Sequence, residues 1–106
     1  MVTLLAAAGT ASAEQELPIF DAHMHYSHDA WEVVPPQAFV DILRKANIKR
    51  ALVSSSNNEG TKMLQDVAAS MIVPVLRPYR SRGELSTWVK DPTIIPFLED
   101  MLSKRK

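Results

Sequence analysis

Apolar residues recur along this chain in two alternating rhythms. A short apolar run over residues 18–25, carrying Ile19, Phe20, Ala22 and Met24 and flanked by loop-forming residues, predicts a first β-strand. Residues 26–34 are polar and aromatic and predict a loop. Pro35 and Pro36 then announce a helix start, because proline loses nothing at the first helical position, where its missing N–H would go unpaired anyway. Phe39, Val40, Ile42, Leu43 and Ala46 follow at helical spacing and form one apolar stripe, with Asp41, Arg44 and Lys45 facing water. Asn47 is a suitable left-handed stop.

The same alternation repeats. Residues 51–54 predict a second strand, 55–60 a turn-rich loop, and 61–70 a helix whose buried face carries Met63, Leu64, Val67 and Ala68. Residues 71–76 predict a third strand, with Pro74 placing it at an edge because proline cannot donate a ladder bond. A basic turn spans 80–83. The last helix is expected to run from Asp91, as cap, with Pro92 at the first position, to Leu102, with a kink or a late start at Pro96. Strand, helix, strand, helix, strand, helix is the grammar of a parallel α/β fold with right-handed crossovers. Three such crossovers put three helices on one face and leave the other bare. A parallel sheet normally has both faces covered, so the chain reads as a fragment; the competing reading is a small complete α/β layer.

Composition narrows the function classes. The 106 residues are 46% hydrophobic and 23% charged, the makeup of one soluble globular domain. Lys and Arg number 12 and Asp and Glu 12, which gives no net field toward nucleic acid or anionic lipid. Cysteine is absent, which excludes a disulfide framework, a thiolate zinc site and a thiol nucleophile, so any metal must be held by His and carboxylates. At the N-terminus, an apolar run over residues 2–8 and the small-x-small sequence Ala11-Ser12-Ala13 before Glu14 predict a signal peptide over 1–13, incomplete in that no Lys or Arg opens it. Export to a periplasm or to the exterior is expected on that reading; if the segment is only an Ala-rich tail, the protein is cytoplasmic. The run is too short for a bilayer-spanning helix, which takes about 20 apolar residues.

The chemistry concentrates in the first strand. Strict alternation there puts Asp21, His23 and His25 on one face and Phe20, Ala22 and Met24 on the other. A face bearing an acid and two imidazoles is no ordinary apolar core, since buried polar groups must be paired. Imidazoles at i and i+2, with Cα atoms about 6.6 Å apart, can converge on one divalent cation at about 2.0–2.1 Å. The alternative is two histidines hydrogen-bonded within an α/β core.

The segment Ile19-Phe20-Asp21-Ala22-His23-Met24-His25 resembles the opening motif of the amidohydrolase superfamily. Leu76-Arg77-Pro78-Tyr79-Arg80, followed by Thr87-Trp88 and Asp91-Pro92, is similar to the stretch after strand three in its amidohydrolase-related branch. The resemblance runs from about residue 18 to residue 102. It implies the first three βα units of a TIM-type (β/α)8 barrel, which takes about 250 residues in full, over residues 14–106. It also implies a metal-dependent hydrolase with zinc as the usual metal, His23 and His25 as two of its ligands, and further His and Asp ligands from later strands absent here. Metal-activated water would attack a C–N or ester-type bond of a small molecule, and the fragment by itself is expected to be inactive. Members of the branch also include decarboxylases, and a non-catalytic, exported metal-binding or vestigial protein is the reading from another class.

Asp21 is expected behind the histidines, orienting an imidazole by accepting its other N–H. His28, three residues past His25, reads first as a solvated loop histidine. Ser54, Ser55 and Asn57 follow strand two, and Arg77 and Arg80 follow strand three, the side on which such barrels carry their sites. Arg77, and less so Arg80, are candidates to clamp a substrate carboxylate. Trp31 and Trp88 read as packing residues, and Tyr26 is left open. Oligomeric state does not follow from the sequence.

Overall fold

The computed structural model describes residues 17–104, so the expected leader over 1–13 lies outside the described residues. The elements are β1 (Ile19–His25), α1 (His28–Trp31), α2 (Pro36–Lys45), β2 (Ile48–Ser54), α3 (Glu59–Ala68), β3 (Ile72–Pro74), two 3-10 turns (Arg82–Glu84 and Trp88–Lys90) and α4 (Ile94–Ser103). The strands form one parallel sheet in the order β1-β2-β3, so the fold is α/β, as the alternating rhythms predict. No helix among the described residues is long and apolar enough to cross a membrane.

Helices α2 and α3 pack on each other and on β2, and so cover the same face of the sheet. Pro36 opens α2 as expected, and Asn47 takes the left-handed conformation (φ 57°) that ends the turn after it. Within α2 the buried residues are Val40 and Leu43, while Ile42 is 56% exposed, so the stripe is narrower than its spacing suggests. In α3 the buried row is Gly60, Leu64 and Ala68, one helical turn apart, with Thr61 beside it; Val67 is 40% exposed. Gly60 stands in that row because the loop crosses it closely. A Cβ there would lie 2.1 Å from the Tyr26 carbonyl oxygen and 2.6 Å from Cζ3 of Trp31.

The loop over 26–34 is a structured corner containing the single helical turn α1. Tyr26 is fully buried, its ring against Phe39 at 4.7 Å and Trp31 at 6.2 Å between centroids. Its hydroxyl donates to the Val34 carbonyl at 2.6 Å, satisfying the one polar atom that so buried a tyrosine carries. Burial also raises its phenol pKa above the ordinary 10.0. Trp31 packs against this core, as expected.

Two expectations about the sheet are corrected. First, the ladder between β1 and β2 is irregular: Ile19 pairs with Ile48 and Phe20 with Arg50, then Asp21 with Ala51 and Met24 with Val53. Between Asp21 and Met24, three steps of β1 face two of β2, which is a bulge and breaks strict alternation. Paired residues of neighbouring strands share a face. Asp21 and Met24 therefore lie on the side of Ala51 and Val53, both fully buried under the helices. Phe20, 52% exposed, lies on the bare side with His25. Second, α4 carries no buried residue and does not become a third helix on the sheet. It starts at Ile94, so Pro96 falls in the first turn, where no backbone bond is lost. Strand β3 is short and sits at the edge, in keeping with Pro74.

The segment leading to α4 is fastened by Arg80. Its guanidinium donates to Asp91 at 2.7 Å and to the Thr93 hydroxyl at 2.9 Å, and stacks over the Phe97 ring at 4.5 Å. The Arg80 hydrogen bond first, then those from Thr93, hold the Asp91 carboxyl down from 3.8 to about 2. That contribution is complete above 3.8 and is lost as pH falls through about 2. A carboxyl-detected NMR titration should therefore find Asp91 half-protonated near pH 2, and Arg80→Met should move it back toward 3.8. Gly60→Ala should destabilise the chain by about 1–3 kcal/mol, the range for forcing a methyl group into a packed site, measured as a lower denaturant midpoint.

Candidate metal centre at the strand ends

In a parallel sheet the C-terminal ends of all strands lie along one edge, and here that edge gathers His25 at the end of β1, Ser54 at the end of β2 and Arg77 three residues past β3. His25 pairs directly with Ser54 in the ladder. The Nε2 atoms of His23 and His25 are 2.9 Å apart, with the rings edge to face at 4.8 Å between centroids. Two nitrogens held about 2.0–2.1 Å from one zinc at the tetrahedral angle are separated by about 3.3–3.4 Å. At 2.9 Å the pair stands at the distance of one N–H···N hydrogen bond, and the two nitrogens would have to part by about half an ångström to share a metal. Beside it lies an open hollow of about 230 Å³, bordered by Ala22, His23, Met24, Leu52, Ser54, Val75 and Arg77.

The other nitrogen of His25, Nδ1, meets Ser54 Oγ at 3.1 Å and Arg77 Nη2 at 2.9 Å, and the same Nη2 donates to Ser54 Oγ at 2.9 Å. One connected group of side chains therefore spans all three strands. Partial desolvation, then the Arg77 charge, then His23 lower the His25 pKa below its ordinary 6.5. His25 is accordingly neutral at pH 7, the form in which imidazole ligates metals.

The hydrogen bond that Asp21 makes here goes to backbone rather than to an imidazole. Its Oδ1 accepts the backbone N–H of His23 at 2.9 Å, so the acid supports the bulge that aims His23. The exchange follows from the bulge, which alternation cannot anticipate. His28 stands apart from the pair: its Nε2 accepts from Arg82 at 2.6 Å and its Nδ1 lies 3.4 Å from Ser56 Oγ. Arg80 is engaged with Asp91, Thr93 and Glu84 rather than with the histidines. Among the described residues Asn57 bonds to Glu59, two residues on. Among the described residues no cluster of three or more His, Cys, Asp or Glu is placed to hold a metal ion.

Two positioning residues escaped the sequence reading. Asn58, buried and left-handed at φ 67°, accepts the Arg77 backbone N–H at 2.7 Å and donates to the Arg77 carbonyl at 3.1 Å. This reciprocal pair fixes the segment after β3 against the loop after β2. Thr61, fully buried, donates to the Val53 carbonyl at 3.3 Å, and its backbone N–H reaches Ser55 Oγ at 3.3 Å. The available signal was Asn58 itself, a favoured N-cap residue type directly before a helix, whose side chain here serves the tertiary contact instead.

Because the folded protein binds a proton at His25 less readily than the unfolded chain, stability falls as pH drops below 6.5. Imidazole NMR should place the His25 midpoint below 6.5, and Arg77→Met should raise it toward that value.

No protein-family model matches the chain, and neither does any curated protein or solved structure.

Proposed function

We propose that this chain is the opening portion of a metal-dependent hydrolase of the amidohydrolase type, with His23 and His25 as two ligands of a divalent metal, zinc as the family resemblance implies. The observation that carries the reading is the convergence of the two Nε2 atoms at 2.9 Å, beside a hollow at the C-terminal edge of a parallel sheet. Support also comes from the bare face. Three parallel strands in sequential order, covered by helices on one side only, are the local geometry of a (β/α)8 barrel, whose inner face would be the side bearing Phe20, His25, Leu52 and Val75.

A catalytic zinc site takes about three protein ligands and an open position for water; His23 and His25 supply two. Bound there, the metal would polarise a carbonyl and provide hydroxide near neutral pH. The chain's own groups bind and orient. His25 presents a neutral imidazole, the Ser54 hydroxyl is placed to accept its far N–H, and Asp21 secures the His23 backbone. Arg77, on the rim of the hollow, is placed to meet a substrate carboxylate with a charge-assisted hydrogen bond. That position also favours a second reading within the same branch, decarboxylation of a carboxylated ring. Carbon dioxide release from aromatic carboxylates, against hydrolysis of amides and esters, separates the two in a complete homologue.

Zinc calorimetry on the 106-residue chain should show one site, and the double variant His23→Ala, His25→Ala should weaken it by more than about tenfold. Unchanged binding in a folded double variant would sink the metal reading.

A further inference from the structure

Up to the Asn58 clamp on Arg77 and the buried ring of Tyr79 the chain is anchored, and beyond them it is loosely seated. The two 3-10 turns and α4 carry no buried residue, and Leu85, Val89, Ile95 and Leu102 are each more than half exposed. At the end of α4, Met101 and Lys104 face Asn57, Glu59, Lys62 and Gln65 across an open hollow of about 470 Å³ rather than a packed contact. Arg80 bonds within its own stretch, to Glu84, Asp91 and Thr93. Among the described residues, the hydrogen bond that ties this stretch to the rest of the fold runs from Arg82 Nη1 to His28 Nε2, at 2.6 Å.

A guanidinium can only donate, so this bond requires a lone pair on Nε2 of His28. The ring proton then stands on Nδ1, where Ser56 Oγ at 3.4 Å is an acceptor. A proton added at Nε2 removes that lone pair and sets an imidazolium directly against the guanidinium. The charged groups facing the ring are Arg82, from its 3-10 turn, and Asp29, the next residue of α1, whose Oδ1 lies 3.9 Å from Nδ1. Asp29 is 79% exposed, so water screens its attraction, whereas Arg82 is in contact. The edge of the Trp31 ring completes the surroundings. We infer that residues 82–103 form a strap latched by Arg82 on neutral His28, and that protonation of His28 releases it. His28 and Ser56 stand in the loops that follow His25 and Ser54, so the latch ties the position of the strap to the edge that carries the candidate site. The inference is independent of the metal reading.

The test is fluorescence energy transfer on the full chain, which has no cysteine of its own. Dyes are placed on two introduced cysteines at exposed positions, Ala38→Cys on α2 and Val89→Cys on the strap. Between about pH 8 and about pH 5, the range over which imidazole changes charge, the population with a long dye separation should rise about three- to tenfold, the scale of one hydrogen bond. His28→Gln keeps an acceptor that does not titrate and should hold the strap closed at both ends of the range. Arg82→Met, at an exposed position, should leave it open at both. A distance distribution in the unsubstituted background that does not change over this range, with the sheet still folded by circular dichroism, overturns the latch. So does a pH response that survives intact in His28→Gln, and so does an Arg82→Met chain as closed as its parent at about pH 8.

Discussion

The arrangement at the strand ends depends on the register in which β1 lies beside β2. Pairing His25 with Ser54 puts an imidazole and a hydroxyl in adjacent positions on the open face. A slip of one residue would carry His25 to the side of Ala51 and Val53, which is filled by helices. The register is held from that helical side. Met24 packs toward the core formed by Val40, Leu43, Ala51, Val53 and Leu64, and the Tyr26 corner follows at once. The apolar contacts on one face thus decide which polar groups meet on the other.

The bulge between Asp21 and Met24 is the second determinant. It adds one residue to β1, shifts Asp21 out of phase with the histidines and brings Phe20 into phase with His25. Asp21 then satisfies the His23 N–H that the distorted ladder would leave without a partner. An acid that looks like a partner for an imidazole is instead a backbone support, and the difference lies in a single inserted step. Arg77 completes the group from the third strand, carried there by the Asn58 clamp rather than by the ladder, since β3 ends at Pro74.

The two arginines after β3 show how tertiary context separates residues that look alike in sequence. Arg77 turns inward to His25 and Ser54, where its charge helps to keep His25 neutral. Arg80, three residues on, turns to Asp91, Thr93 and Phe97 and fastens the approach to α4. Arg80 thus follows arginine's preference for carboxylates, while Arg77 meets an imidazole and a hydroxyl instead.

By itself the sequence determined the elements and their order. Period-two and helical spacing of apolar residues are local properties, and they marked β1, α2, β2 and α3, the edge position of β3 at Pro74 and the left-handed turn at Asn47. It also marked His23 and His25 as a pair, since an i and i+2 spacing brings two side chains together even across an irregular strand. The tertiary structure alone decided which face each residue occupied past the bulge, that Gly60 must admit the Tyr26 carbonyl, that α4 stays off the sheet, and that Asn58 rather than Asn57 holds Arg77. The physical reason is the same in each case. These outcomes depend on contacts between segments far apart in the chain, whose geometry is set by packing, and no local pattern of polar and apolar residues carries that information.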